Sequence, residues 1–266
     1  MDTYVGFPGL NLSFNLNPVA FNLFGKDVYW YGVLIAFGIV LAVMMCTRLA
    51  KQQGLSQDNV LDVVLWGAPA AIIGARIYYC AFRFEQYKDN LWDVFKIWEG
   101  GIAIYGGIMG AVIAAYIYCY VKKIDWHKLF DVCLPGVMLG QAVGRWGNFM
   151  NREAFGAETT LPWRMELHTM AGNVMYVHPT FLYESLWNFC GVILLLWLSK
   201  HKKQDGEVCF TYFIWYGIGR FFIEGLRADS LYWGPFRISQ VVGLLTAVAG
   251  MILLFNLKRK GKKMLP

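Results

Sequence analysis

Seven apolar runs of about twenty residues, separated by short polar connections, leave this chain few ways to fold. A helix needs roughly 20 apolar residues to cross a hydrocarbon layer about 30 Å thick, and the runs predict spans at about 28–49, 61–82, 102–121, 130–149, 180–199, 208–226 and 238–257. With 57% of its residues apolar and 16% charged, against about 25% charged in soluble chains, a water-soluble globule is excluded. The expected fold class is all-α: a polytopic membrane protein with seven transmembrane helices. No repeat, low-complexity linker or soluble domain interrupts the pattern, so residues 1–266 read as a single integral membrane domain. The stretch Met1–Gly25 has neither a basic start nor a short apolar core before a small-residue cleavage site, so nothing is expected to be removed.

Charge gives the orientation. Arg48 and Lys51, then Lys122, Lys123 and Lys128, then Lys200, Lys202 and Lys203, then Lys258, Arg259, Lys260, Lys262 and Lys263 fall on one side. The other side is sparser over longer segments: Lys26, Arg83, Lys88, Lys96, Arg152, Arg164, Arg227 and Arg237. Excess Lys and Arg marks the cytoplasmic side, which puts the N-terminus outside, the C-terminus in the cytoplasm and a small cap, about 150–179, outward. The net charge of +6 lies in short clusters rather than on one face, so no nucleic-acid partner is expected. Cys46, Cys80, Cys119, Cys133, Cys190 and Cys209 form no C-x-x-C pair and read as small hydrophobes.

Polar side chains interrupt the runs selectively. An arginine near the middle of a span costs about 2.5–3.5 kcal/mol, so each needs a partner or a task. Arg76, Arg145 with Asn148, the stripe Arg220–Glu224–Arg227, His178 with Glu184, Tyr105 and Tyr31 all lie toward the outer ends of six spans, while the inner halves hold little besides Asp62 and Asp131. This collection implies a polar chamber open to the outer leaflet. Arg76, Arg145 and Arg227 outnumber what Glu184 and Glu224 neutralise, so the expected guest is an anion, with a phospholipid headgroup nearest to hand. Glycines at 136, 140 and 144, and at 106 and 110, read first as helix packing; Gly100, Gly101, Gly106 and Gly107 loosen the start of the third span. Tyr29, Trp30, Trp98, Trp126 and Trp233 read as interfacial anchors.

The chain carries no H-E-x-x-H zinc motif, G-x-S-x-G elbow or phosphate loop, and His127, His168, His178 and His201 are too scattered to build a metal site. What stands out is Gly144-Arg145-Trp146-Gly147-Asn148-Phe149-Met150-Asn151-Arg152-Glu153, running on to Gly156. It resembles the signature of bacterial prolipoprotein diacylglyceryl transferases, G-R-x-G-N-F-x-N-x-E, at every fixed position. Trp30-Tyr31-Gly32, Gly74-Ala75-Arg76, Gly100-Gly101 with Gly106-Gly107, His178-Pro179 with Leu182-Tyr183-Glu184, and Glu224 with Arg227 look like that family's other elements in its order.

The resemblance implies transfer of a diacylglyceryl group from phosphatidylglycerol to the lipobox cysteine of a preprolipoprotein, at the outer face of the bacterial cytoplasmic membrane, with no metal and no organic cofactor. Because that reaction leaves negative charge on the departing phosphate, its chemistry assigns Arg145 and Arg227 to the phosphate with Arg76 as a weaker third. Asn148 and Asn151 orient the headgroup, and Tyr31, Glu184 and Glu224 line the substrate; the two glutamates either act directly or only orient arginines. Many members carry histidine where this chain has Tyr105. A phenol with pKa near 10 is a poor base at neutral pH, so either neighbouring arginines lower the pKa of Tyr105 or, the favoured reading, it only donates a hydrogen bond while Glu153 or His178 accepts the thiol proton. An anion transporter is the alternative reading; a seven-span receptor explains the span count alone.

Overall fold

The computed structural model describes residues 3–168 and 172–263, without the side chains of 261–263. Met1, residues 169–171 of the expected cap, and the side chains of Lys262 and Lys263 lie outside the described residues. The protein is mostly helical. Among the described residues seven long helices follow one another: α1 (Trp30–Gln52), α2 (Gln57–Phe82), α3 (Ile104–Lys122), α4 (Trp126–Asn151), α5 (Thr180–His201), α6 (Glu207–Glu224) and α7 (Ile238–Lys263). Five of them, α1, α2, α3, α5 and α7, are long and apolar enough to cross a membrane. The other two carry the polar residues Gln141, Arg145 and Asn148 on α4 and Arg220 and Glu224 on α6. Large apolar side chains such as Leu65, Ile77, Ile193, Phe222, Leu245 and Phe255 stand exposed along these helices, an arrangement suited to a hydrocarbon surrounding and not to water.

The all-α expectation needs one correction. Short strands form outside the helices: β1 (Tyr4–Phe7), β2 (Leu12–Asn15), β3 (Val19–Leu23), β4 (Lys26–Tyr29), β5 (Met165–His168), β6 (Val174–Val177), β7 (Tyr232–Trp233) and β8 (Phe236–Arg237). They make a four-stranded sheet in the order β2-β1-β5-β6 and two hairpins, β3-β4 and β7-β8. These segments are too short for spans, and pairing is how their backbone groups are satisfied. Because Lys26–Tyr29 is taken by β4, α1 starts at Trp30 rather than at 28. The chain forms two compact units, Met1–Met45 with Cys133–Pro266, and Cys46–Val132.

In the first unit, the buried face of β1 (Val5, Phe7) joins Met165, Leu167 and Val177 over Phe149 and Phe181 at the ends of α4 and α5. The Phe149 and Phe181 rings stack with centroids 4.6 Å apart. Burying each such side chain contributes about 1.5–3 kcal/mol, so this apolar cluster seats the sheet on the helix ends that carry the family-like motif. Helices α5 and α6 are fastened by a reciprocal pair: each indole Nε1 of Trp187 and Trp215 donates to the other's carbonyl at 3.0 Å.

In the second unit, α2 begins at an N-cap where Ser56 Oγ accepts from Asp58 N at 3.2 Å. It lies against α3 along small residues; a Cβ on Gly74 would come within 2.5 Å of the Gly106 carbonyl oxygen. Gly106 and Gly107 are therefore helical and serve packing. The loosened start is confined to 100–103, where Gly100 and Gly101 have φ of 88° and 75°. Tyr118 donates to Asp62 at 2.8 Å, which gives the inner-half carboxylate its partner.

Arg76 is the organising residue of this unit. Its Nε donates to Val94 O, its Nη1 to Gly100 O and Gly101 O, and its Nη2 to Asp93 O and Lys96 O, at 2.5–3.2 Å. A guanidinium has five N–H groups, and here five carbonyls take them. The side chain is 6% exposed. Hydrogen bonds to a charged group contribute about 1.5–3 kcal/mol each, so Arg76→Met should release the 84–101 loop. Hydrogen exchange is expected to show its amides exchanging at least about tenfold faster, a change of roughly 1.4 kcal/mol or more in local opening.

Candidate active site

Helix α4 ends in a Schellman turn in which Glu153 N donates to Asn148 O and Arg152 N to Phe149 O, both at 3.0 Å. Arg152 occupies the left-handed position usually given to glycine, at φ 53°, and Ala154 repeats it at φ 56°. Side chains at such φ cost roughly 1–2 kcal/mol each. The double reversal folds the exposed Glu153 back on its own helix, where its Oε1 accepts from Asn148 Nδ2 at 2.9 Å and Asn151 Nδ2 at 3.4 Å. Asn148 Oδ1 in turn accepts from Arg145 Nη1 at 3.3 Å. The motif residues Arg145, Asn148, Asn151 and Glu153 are thus one hydrogen-bonded chain.

Beyond Glu153 the segment 155–157 is held from both sides. Gly156 N donates to His178 O at 2.9 Å and His178 N to Ala157 O at 3.1 Å; on the other edge Ala157 N donates to Leu226 O at 2.7 Å. Gly156 and Arg227 form an antiparallel bridge, which ends α6 at Glu224 and turns the chain back two residues before the expected limit of that span. A Cβ on Gly156 would lie 2.6 Å from His178 Cβ and 2.8 Å from the Leu226 carbonyl oxygen. Only glycine fits, and its absence of a side chain brings His178 and Arg227 to the motif.

The charged centre is Glu184, in the first turns of α5 and 7% exposed. Its Oε2 is 2.5 Å from Arg145 Nη2; its Oε1 is 3.4 Å from Arg220 Nη1 and 3.5 Å from Arg227 Nη1. Glu224, 2% exposed, pairs with Arg220 Nη2 at 2.7 Å, and Arg220 also donates to Ser239 Oγ at 3.3 Å. Arg237 donates to the Glu224 carbonyl. Three arginines from two helices and a loop therefore converge on one carboxylate. Arg220, placed in the polar stripe by its spacing but given no substrate role, lies at the middle of the cluster. The sequence reading also overlooked Asp229, which binds Arg227 through Nε and Nη2 at 2.9 and 2.8 Å. That bond holds the Asp229 carboxyl below the usual carboxylate range.

His178 sits half-buried beside this cluster's entrance. Burial pushes its imidazole below the ordinary value, so the ring is neutral at pH 7. Its Nδ1 is 3.3 Å from Tyr183 Oη, which accepts from Trp163 Nε1 at 2.8 Å. The tautomer in which Nδ1 donates to Tyr183 Oη leaves Nε2 as an acceptor. Tyr31, from the start of α1, rests its ring on Gly147, where a Cβ would come within 2.8 Å. Arg76 and Tyr105 belong to the second unit; Tyr105 is half-buried in the first turn of α3, and Arg76 carries the carbonyls described above. Among the described residues no three His, Cys, Asp or Glu side chains converge on a metal-sized space.

The family model described as prolipoprotein diacylglyceryl transferase matches residues 18–256. The chain belongs to the prolipoprotein diacylglyceryl transferase family. Relatives named phosphatidylglycerol-prolipoprotein diacylglyceryl transferase include one from Listeria welshimeri, 48% identical over 91% of this chain and 91% of its own length. One from Finegoldia magna is 45% identical over 92% and 97%, and one from Clostridioides difficile 45% over 93% and 98%. The family accounts for the Gly144–Gly156 motif, and nothing in the cluster favours an anion transporter. The strain in the motif makes a paired prediction. Gly156→Ala should lower unfolding stability by about 1–3 kcal/mol through overpacking, whereas Ala154→Gly should leave it equal or raise it by up to about 1 kcal/mol, both read by thermal unfolding in detergent.

Proposed function

We propose that this chain transfers the diacylglyceryl group of phosphatidylglycerol to the lipobox cysteine thiol of a preprolipoprotein, the first step of bacterial lipoprotein maturation. It does so as a single seven-span integral domain in the cytoplasmic membrane, with its N-terminus outside, its C-terminus in the cytoplasm and its site facing the outer leaflet beneath the cap at about 150–179. The observation that carries this reading is the convergence of Arg145, Arg220 and Arg227 on Glu184, with the matched motif supplying Arg145. The cysteine sulfur attacks the glyceryl carbon, the C–O bond to phosphate breaks, and a C–S thioether forms. Glycerol phosphate departs with the bonding electron pair, and the thiol proton goes to a base.

Negative charge grows on the departing phosphate, so donors already oriented toward it lower the barrier. Arg145, the most exposed of the three arginines at 25% of its side chain, and Arg227 hold that phosphate, with Arg220 behind them. Arg76, whose five N–H groups are engaged by loop carbonyls, leaves this role and instead shapes the 84–101 loop. Asn148 and Asn151 present the headgroup hydroxyls, Tyr31 lines the lipid, and Glu184 and Glu224 orient the arginines. Tyr105 donates a hydrogen bond. The proton goes to His178 or Glu153: His178 is neutral and keeps Nε2 available, while Glu153 already accepts two amide donors.

Mass spectrometry of a lipobox peptide incubated with purified protein and phosphatidylglycerol tests the reading. Addition of one diacylglyceryl mass is expected, lost by at least about 10²-fold in Arg145→Ala and kept in Tyr105→Phe; no addition by folded wild-type protein contradicts it. The pH profile separates the two bases. His178 has a pKa depressed by burial below the ordinary imidazole value, so its base form predominates at neutral pH and activity should fall only as pH drops through the depressed value. His178→Gln should abolish that acid limb together with most of the rate. A His178→Gln enzyme of undiminished rate would assign the proton to Glu153.

A further inference from the structure

One two-donor edge of Arg227 is occupied. Nε and Nη2 both donate to Asp229, while Nη1 turns to Glu184. That edge is one of the two with which a guanidinium takes a phosphate, because carboxylate and phosphate oxygens match its fork alike. Arg227 is 12% exposed at its side chain and Asp229 is 54% exposed, so the carboxylate sits on the open side of the buried cation.

Charge points the same way. Arg145, Arg220 and Arg227 exceed Glu184 and Glu224 by one positive charge, and Arg237, which donates to the Glu224 carbonyl, adds to that excess. Asp229 supplies one negative charge; a phosphatidylglycerol phosphodiester carries one as well. The backbone gives the two partners different freedom. Arg227 is fixed by its bridge to Gly156, whereas Asp229 stands two residues further on in a stretch whose side chains at 231–236 are exposed. The anion can leave while the cation stays.

We propose that Asp229 is an internal anion that holds the paired edge of Arg227 in the empty site and is displaced from it by the phosphodiester of the lipid substrate. It is a positioning residue: it keeps Arg227 extended, offsets one positive charge of the cluster, and sets lipid affinity by competing for one edge. The proposal rests on the lipid-transfer reading above. An internal competitor raises the apparent dissociation constant by the reciprocal of the fraction of time it leaves the site open.

The test compares full-length wild-type protein with Asp229→Asn and Asp229→Glu, measuring kcat and KM for phosphatidylglycerol and inhibition by glycerol phosphate, with thermal unfolding to verify that each is folded. Asp229→Asn, which keeps the shape and removes the charge, should lower KM by about three- to tenfold and tighten glycerol phosphate inhibition by the same factor, without raising kcat. Asp229→Glu should restore wild-type values. If Asp229 only braces the loop, Asn raises KM or leaves it unchanged and glycerol phosphate inhibition does not tighten; either result overturns the proposal. Wild-type protein inactive toward the lipobox peptide would overturn the lipid-transfer reading itself, a failure distinct from active protein whose KM ignores Asp229.

Discussion

One carboxylate, Glu184, receives guanidinium groups from α4, α6 and the loop after α6, and the arrangement of the polar site follows from it. Taking three arginines and two glutamates out of water is costly, and their mutual attraction offsets that cost only when geometry and hydrogen bonds are complete. The completion is visible in the neighbours: Asn148 behind Arg145, Ser239 and Glu224 behind Arg220, Asp229 behind Arg227. A cluster built this way is stiff. In the proposed reaction stiffness is what the donors to the departing phosphate require, since dipoles that need not reorganise act at full strength in a site from which water is excluded.

The backbone carries a matching constraint. Left-handed Arg152 and Ala154 reverse the chain at the end of α4, and the bare face of Gly156 lets three segments pair where any side chain would separate them. Strain at two residues is compensated by the ladder through His178, Ala157 and Leu226. The apolar cluster around Phe149 and Phe181 then fixes the cap sheet over the same helix ends. The motif from Gly144 to Gly156 is therefore a hinge-free corner: its polar residues face the arginines and its backbone fastens the cap.

Much of this was legible in residue order. Helix positions came from apolar runs, because backbone satisfaction in hydrocarbon leaves helices as the simple solution, and the polar stripe of α6 came from spacings of four and three. The strands were not legible, since four-residue segments such as Tyr4–Phe7 pair with partners as distant as Met165–His168. Arg76 shows a different limit. Its residue type and depth suggested anion binding, but only the folding back of 93–101 reveals that carbonyls fill its donors. Asp229 was overlooked because a loop residue two positions from an arginine has no periodic signature.

The central claim, that Glu184 arrays the arginines for catalysis, is tested most directly by Glu184→Gln, an isosteric change that removes the charge and keeps a side-chain acceptor. Single-turnover transfer to a lipobox peptide at saturating phosphatidylglycerol, on protein verified as folded by thermal unfolding, gives the decisive number. A fall of about 10²-fold or more in the transfer rate is expected, since the arginines lose their common anchor. A folded Glu184→Gln protein that transfers lipid at the wild-type rate would contradict the account.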